Sequence, residues 1–230
     1  MDHFVLNDTI HSRGDLGLWI TERPPTPATE RIVKNIDVDG REGTLTIFKG
    51  WRDSELPMQA ALLGADIQAR YRAVQAKLRD AKSLYRSDDP SVYYNVKSVE
   101  IGPLYMKLST LGEFNVYFSC APFKYQRNVA MVTRSASGSL VNPGTVYSLP
   151  KITVYGTGTR TLTINGKAIT LNLLSAHLIL DSELKTCYFG DTAQNQLMTG
   201  DFPVLEVGNN TIMLGTGITR VEIEPRWRFL

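Results

Sequence analysis

The chain has 230 residues, of which 43% are hydrophobic and 21% charged, and its formal net charge is +2. That length can bury a sizeable core as one large β domain or two smaller ones. From residue 137 onward seven Lys/Arg are matched by seven Asp/Glu, so the basic stripe or tail of a nucleic-acid binder is missing and no sequence-specific nucleic acid is expected as a partner.

The N-terminal stretch MDHFVLNDTIHSRGD lacks the basic start and long apolar core of a secretory signal. The longest nearly apolar run, LNLLSAHLIL, is too short to span a bilayer, so no membrane partner is expected. TERPPTPATER, residues 21–31, is a stiff, extended, proline-rich segment. RIVKNIDVDGREGTLTIF reads as strand, glycine turn, strand. Inside it Asn35, Asp37 and Asp39 alternate before Gly40 as at the start of an EF-hand loop. The twelfth position of that loop, however, is Thr46 rather than Glu, and the flanks are not helical, which leaves a β-turn and no metal site.

ADIQARYRAVQAKLRDAKS predicts one helix, about residues 66–82, with Ile67, Tyr71, Val74 and Leu78 at helical spacing and Asp66 at the N-cap. Arg70, Arg72, Lys77, Arg79 and Lys82 lie on its other face, read as a solvated face rather than a phosphate surface. Three strands follow, in SVYYNVKSVEI, LYMKLST and EFNVYFSCAPF. Cys120 shares a strand face with Val116 and Phe118, which suits a buried thiol; with Cys187 it is read as a reduced structural cysteine, and a disulfide between the two stays open. RSASGSLVNPG, rich in Ser and Gly with an Asn-Pro-Gly turn, is the expected boundary between domains 1–136 and 137–230.

Beyond it the hairpins are regular. In RTLTINGKAITL, Asn165-Gly166 is a two-residue type I′ signal that pairs Leu162 with Ile169 and Thr161 with Thr170. HLILD, KTCYFG, PVLEVG, TIML and RVEIEP supply further short strands, and GDFPVLEVGNNTIML reads as a hairpin closed by Gly-Asn-Asn. The second half is therefore a β-sandwich, and the whole chain mainly β.

Chemistry finds little purchase. GTGTR, residues 156–160, lacks the closing Gly-Lys-Ser/Thr of a phosphate loop, and His3, His11 and His177 have no zinc-ligand spacing. Asp181 and Glu183 are the nearest thing to paired carboxylates for a glycoside hydrolase, but two residues apart they close one strand rather than face each other across a cleft, and read as surface turn residues. No nucleophile elbow or Cys/His pair is present, so no catalytic residue, cofactor or metal is assigned. Trp227, between Arg226 and Arg228 in EPRWRFL, is the candidate glycan contact if the sandwich is a carbohydrate-binding module; packing of a final strand explains it equally well.

The ordered set DVDGREGTL, SLYRSDDPSVYYNV, FNVYFSCAPFKY, NPGTVYSLPKITVYGTG, LTINGK, LILDSE, GDFPVLEVGNNTIML and VEIEPRWRFL spans nearly the whole chain. It resembles the distal tail proteins, the Dit family of long-tailed phages (siphoviruses), prophages and phage-tail-like particles. The resemblance implies an N-terminal β domain with one helix that forms a ring, followed by a galectin-like sandwich facing outward. It also implies a homohexameric hub at the distal end of the virion tail, assembled in the bacterial host cytoplasm. Its implied partners are the tail tube protein, the tape measure protein, the tail-associated lysin or tail fibre, and receptor-binding proteins. The chain has no inserted carbohydrate-binding module. Within the ring-forming domain Pro24, Pro25, Thr26 and Pro27 are the candidate oligomer interface, on a loop that either reaches a neighbour or merely rigidifies a connection.

Overall fold

A computed structural model describes residues 2–174 and 176–230. Met1, which opens the N-terminal stretch, and Ser175, inside the apolar run Leu171–Leu180, lie outside them. The chain divides into two compact units, one running to Arg127 and joined by Leu230, the other Asn128–Phe229. The expected division at 136/137 falls inside the second unit. RSASGSLVNPG is not a linker there: Arg134 ends one short strand and Gly138–Asn142 form another, and both pair with strands close to the C-terminus.

The first unit runs β1 (Phe4–Leu6), β2 (Ile10–His11), β3 (Leu18–Ile20), β4 (Arg31–Ile36), β5 (Leu45–Trp51), β6 (Ser54–Leu63), α1 (Ile67–Arg79), β7 (Ser83–Arg86), β8 (Asp89–Ile101), β9 (Tyr105–Leu108) and β10 (Leu111–Gln126). Its main sheet has the order β2-β1-β7-β8-β10-β6-β3, with β9 also on β10, and β4 and β5 form a separate two-stranded sheet. β10 is the spine. Its even-numbered residues Phe114, Val116, Phe118 and Cys120 point into the core, as strand alternation requires. Opposite them β6 contributes Leu56, Met58, Ala60 and Leu62.

α1 closes this core. Ile67, Val74 and Leu78 are its buried residues. Tyr71 packs edge-on against Phe114, ring centroids 4.9 Å apart, and its hydroxyl donates to the Gly102 carbonyl at 2.5 Å. Asp66 occupies the N-cap in the left-handed region at φ 54° and makes no side-chain cap hydrogen bond, so the helix starts without the expected cap. Arg72, Lys77 and Arg79 are exposed. Arg70 instead turns back, donating to the carbonyls of Leu63 and Gly17.

The second unit runs β11 (Val132–Arg134), β12 (Gly138–Asn142), β13 (Lys151–Gly156), β14 (Gly158–Ile164), β15 (Lys167–Leu173), β16 (His177–Asp181), β17 (Thr186–Phe189), β18 (Thr192–Ala193), β19 (Met198–Thr199), β20 (Gly208–Leu214) and β21 (Ile218–Glu224). Two sheets, β11-β21-β13-β16-β17-β18 and β12-β20-β14-β15-β19, enclose one core. Ile152, Val154 and Val221 meet Leu162, Ile169 and Ile212 across it, all essentially fully buried. The Asn165-Gly166 turn has φ 51° and 78°, as type I′ demands, and Leu162 pairs Ile169 while Thr161 pairs Thr170.

The expected hairpin at 200–214 is absent. Asn209 and Asn210 lie within β20, paired with Val141 and Leu140, and Leu205 makes only an isolated bridge to Ser148. The Asn210 side chain accounts for the difference. Its oxygen accepts from the Glu206 N–H and its amide donates to the carbonyls of Glu206 and Gly208, so the side chain closes the bend and leaves the backbone free to extend.

Candidate assembly surfaces

The proline-rich segment lies on its own sheet. Its prolines supply carbonyls but no N–H, so the acceptors need donors from elsewhere. Arg86, buried in the core, donates to the Pro24 and Pro25 carbonyls at 2.9 Å each and to Asp88 through Nε at 2.8 Å. Asp88 also pairs with Arg23 at 3.3 Å. Burial alone would raise the Asp88 pKa; hydrogen bonds from Arg86 and Arg23 and the Arg86 charge outweigh it and hold the carboxyl below its usual range. Thr29 Oγ1 donates to the Pro122 carbonyl at 2.9 Å, anchoring the far end. Pro24 is buried, Pro27 half-buried, and Pro25 and Thr26 exposed. A cavity of about 180 Å³ lies under the segment, lined by Arg23, Pro24, Pro57, Gln59 and Tyr117 among others.

What projects is the hairpin that follows, β4–β5. Trp51 at its root packs edge-on against Phe123, centroids 5.5 Å apart, with Arg31 5.3 Å over the Trp51 ring. Beyond the root both faces are open. Val33 pairs with Phe48 on one face; Lys34 with Ile47 and Ile36 with Leu45 occupy the other. Phe48 is 54% exposed. The calcium-like residues fall at its tip, where Asn35 is already in β4 and its Oδ1 accepts from Thr46 at 2.8 Å.

In the second unit Asp181 departs from its expected surface position: it is 2% exposed. Arg226 grips both its oxygens at 2.9 Å, and the N–H groups of Glu183 and Leu184 donate to Oδ1 at 3.0 and 3.1 Å. Burial would raise its pKa, but the Arg226 hydrogen bonds and charge and the two backbone donors lower it. A carboxylate so held is a poor proton donor, and Glu183 sits beside it on the same arginine, 3.1 Å away, rather than across a cleft. Trp227 is 5% exposed within the sandwich core, so its ring offers no stacking face to a glycan. The residues around it explain this placement, since Arg226 ties the C-terminal segment to Asp181 and Arg228 donates twice to the Tyr147 carbonyl.

The cysteines and histidines lie apart from these networks. Burial pushes the Cys120 thiol up to about 12, with the Asp53 charge adding to it, and the Cys187 thiol to about 11. Both are free and fully buried, so neither is a thiolate nucleophile near neutral pH. His3 and His11 come together with ring centroids 6.3 Å apart, whereas His177 lies in the second unit between Tyr155 and Phe189. Among the described residues no three His, Cys, Asp or Glu cluster as metal ligands, and no helix is long and apolar enough to cross a membrane.

The hairpin was legible as strand, turn, strand, but not as a projection. Alternating Leu45, Ile47 and buried-looking Val33 carry the same pattern whether a core or a partner covers them.

At the level of sequence no family model and no curated protein matches the chain. Solved structures do match. A chain of the phage p2 baseplate in its activated conformation with strontium shares 8% identity at a TM-score of 0.47, covering 97% of this chain and 98% of that one. The corresponding calcium structure shares 11% at 0.47, covering 97% of each. The SPP1 Dit protein (gp 19.1), described as a paradigm of the hub adsorption apparatus in phages infecting Gram-positive bacteria, shares 16% identity at a TM-score of 0.65 over 100% of both chains. Mainly β, with one helix in the first unit and a sandwich in the second, the chain has the fold of a phage distal tail protein.

Proposed function

We propose that this chain is a structural component of a phage tail tip or baseplate, a subunit of a hexameric hub ring that joins the tail tube to the tail-tip lysin and receptor-binding apparatus. The observation that carries the reading is the end-to-end fold likeness to SPP1 Dit, which spans both units without remainder on either chain. A fold alone does not fix function, and the surfaces add the second support. The prominent features of the first unit are uncovered apolar strands rather than convergent polar groups, which suits a protein that acts by contact.

In this reading the first unit forms the ring, and the galectin-like sandwich faces outward as a docking module. A sugar-reading role for the sandwich loses its anchor with Trp227 in the core. The partners are the tail tube and tape measure proteins on one side and the lysin or tail fibre and receptor-binding proteins on the other, with assembly in the host cytoplasm. Electron microscopy of tails labelled with an antibody to this chain tests it. Label confined to the distal tail end is expected; label along the tube or on the capsid would reject the reading.

A further inference from the structure

The first unit leaves two apolar surfaces uncovered. One is the β4–β5 hairpin, where Val33 and Phe48 on one face and Leu45 and Ile47 on the other are all exposed. Its two strands have no third neighbour among the described residues, and an isolated two-stranded hairpin is marginal in water. The other is the β9 end of the main sheet. There Leu111 is flanked by Leu63 and Leu108, and Tyr105 stands opposite Glu113. Leu63, Tyr105 and Leu108 are exposed, Leu108 to 64%.

The two surfaces sit at opposite ends of one strand. Trp51 at the hairpin root packs on Phe123, near the C-terminal end of β10, whereas β9 pairs with Leu111–Glu113 at its start. From Glu113 to Phe123 the strand covers about 30 Å. The flanking charges also differ. Arg31, Lys34 and Lys49 stand on the hairpin strands, with Asp37, Asp39, Arg41 and Glu42 at the tip between them. At the other end Glu113 pairs with Tyr105 of β9 and lies 3.9 Å from Lys107, and Glu100 lies opposite Tyr117 further along β10.

Resting on the ring reading above, we infer that the hairpin of one copy covers the Tyr105–Leu108 end of the next copy. A patch that meets a different patch makes a heterologous contact, which propagates from copy to copy and can close into a ring. The basic hairpin strands and Glu113 at the β9 end orient it. A hairpin-to-hairpin contact would be isologous and would stop at two copies.

Two sets of substitutions at exposed positions test this, each checked for an unchanged thermal midpoint: Ile47→Asp with Phe48→Asp, and Tyr105→Asp with Leu108→Asp. By mass photometry the unaltered chain is expected to form species of several copies, and each variant alone to stay at the 25.7 kDa of a single chain. Mixed in equal amounts, the variants should form a two-chain species and nothing larger, because each retains the patch that the other has lost. If the unaltered chain assembles but the mixture stays monomeric, or if either variant assembles normally, the pairing of these patches is wrong and the ring reading stands. If the unaltered chain stays monomeric and Phe48→Cys with Leu108→Cys gives no cross-linked ladder on tails that carry this chain in a sixfold ring, the pairing is wrong and the ring reading stands; tails without such a ring reject both.

Discussion

Arg86, on a strand, reaches out to the proline segment, and Arg226, on the C-terminal segment, reaches back to Asp181 at the end of β16; each ties a segment poor in backbone pairing to a folded sheet. Arg226 with Asp181 is the tighter test, because Asp181 is nearly inaccessible and accepts four hydrogen bonds. Its folded pKa is lowered, so the stabilisation is fully present above the unfolded value of 3.8 and is lost as pH falls through the folded one. Asp181→Asn should therefore cost roughly 1–3 kcal/mol at pH 7. In urea titrations that gap should narrow below about pH 4; a gap that persists undiminished into strong acid would contradict the assignment. The cysteines make a second test. Native Cys120 and Cys187 should resist iodoacetamide and react on denaturation, since both are buried with raised pKa values. Modification of the native protein at either would show that the units open.

The helix, read at the level of elements, was legible because its apolar spacing is local. Ile67, Val74 and Leu78 are buried where the 3.6-residue period puts them. Leu78→Asp should destabilise by about 4 kcal/mol or more, placing an unpaired charge at a fully buried site. Arg72→Glu should stay within about 0.5 kcal/mol by thermal melting. The Asn165-Gly166 turn was legible for a related reason, as positive φ at two consecutive residues is written into that dipeptide. Gly208-Asn209-Asn210 shows where local reading fails. Asn210 closes a bend through nearby Glu206 and Gly208, but whether the backbone then extends depends on pairing with β12, which no local window contains. The Ser/Gly-rich stretch 134–144 misleads likewise, because its pairing with β20 and β21 is long-range. Limited proteolysis should then cut first at 128–131, where Asn128, Ala130 and Met131 are exposed and unpaired by strand, and later within 134–144. First cleavage within 138–142 would contradict the strand there.

For the whole molecule, the mainly β class could be read from turn spacing and alternation, and the sandwich core follows its alternation closely. The surfaces could not. Pro24 to Pro27 stood out in the sequence as a stiff arm, yet Arg86 and Thr29 hold that segment to its own sheet, so deleting it would strip acceptors from a buried guanidinium as well as any contact outside. The projecting element is the hairpin beside it, whose apolar strands look like core strands although the fold leaves Val33, Leu45, Ile47 and Phe48 exposed and, among the described residues, no third strand beside them. An apolar alternation marks a strand face and does not say whether that face is covered. The proposed role of this chain is the sixfold hub at the distal end of a tail. Cryo-electron microscopy of intact tails tests it most directly: the account predicts a sixfold ring at the tail tip whose subunit density fits both units of this fold. Tails whose tip density is built from other folds, with this chain elsewhere or absent, would contradict it.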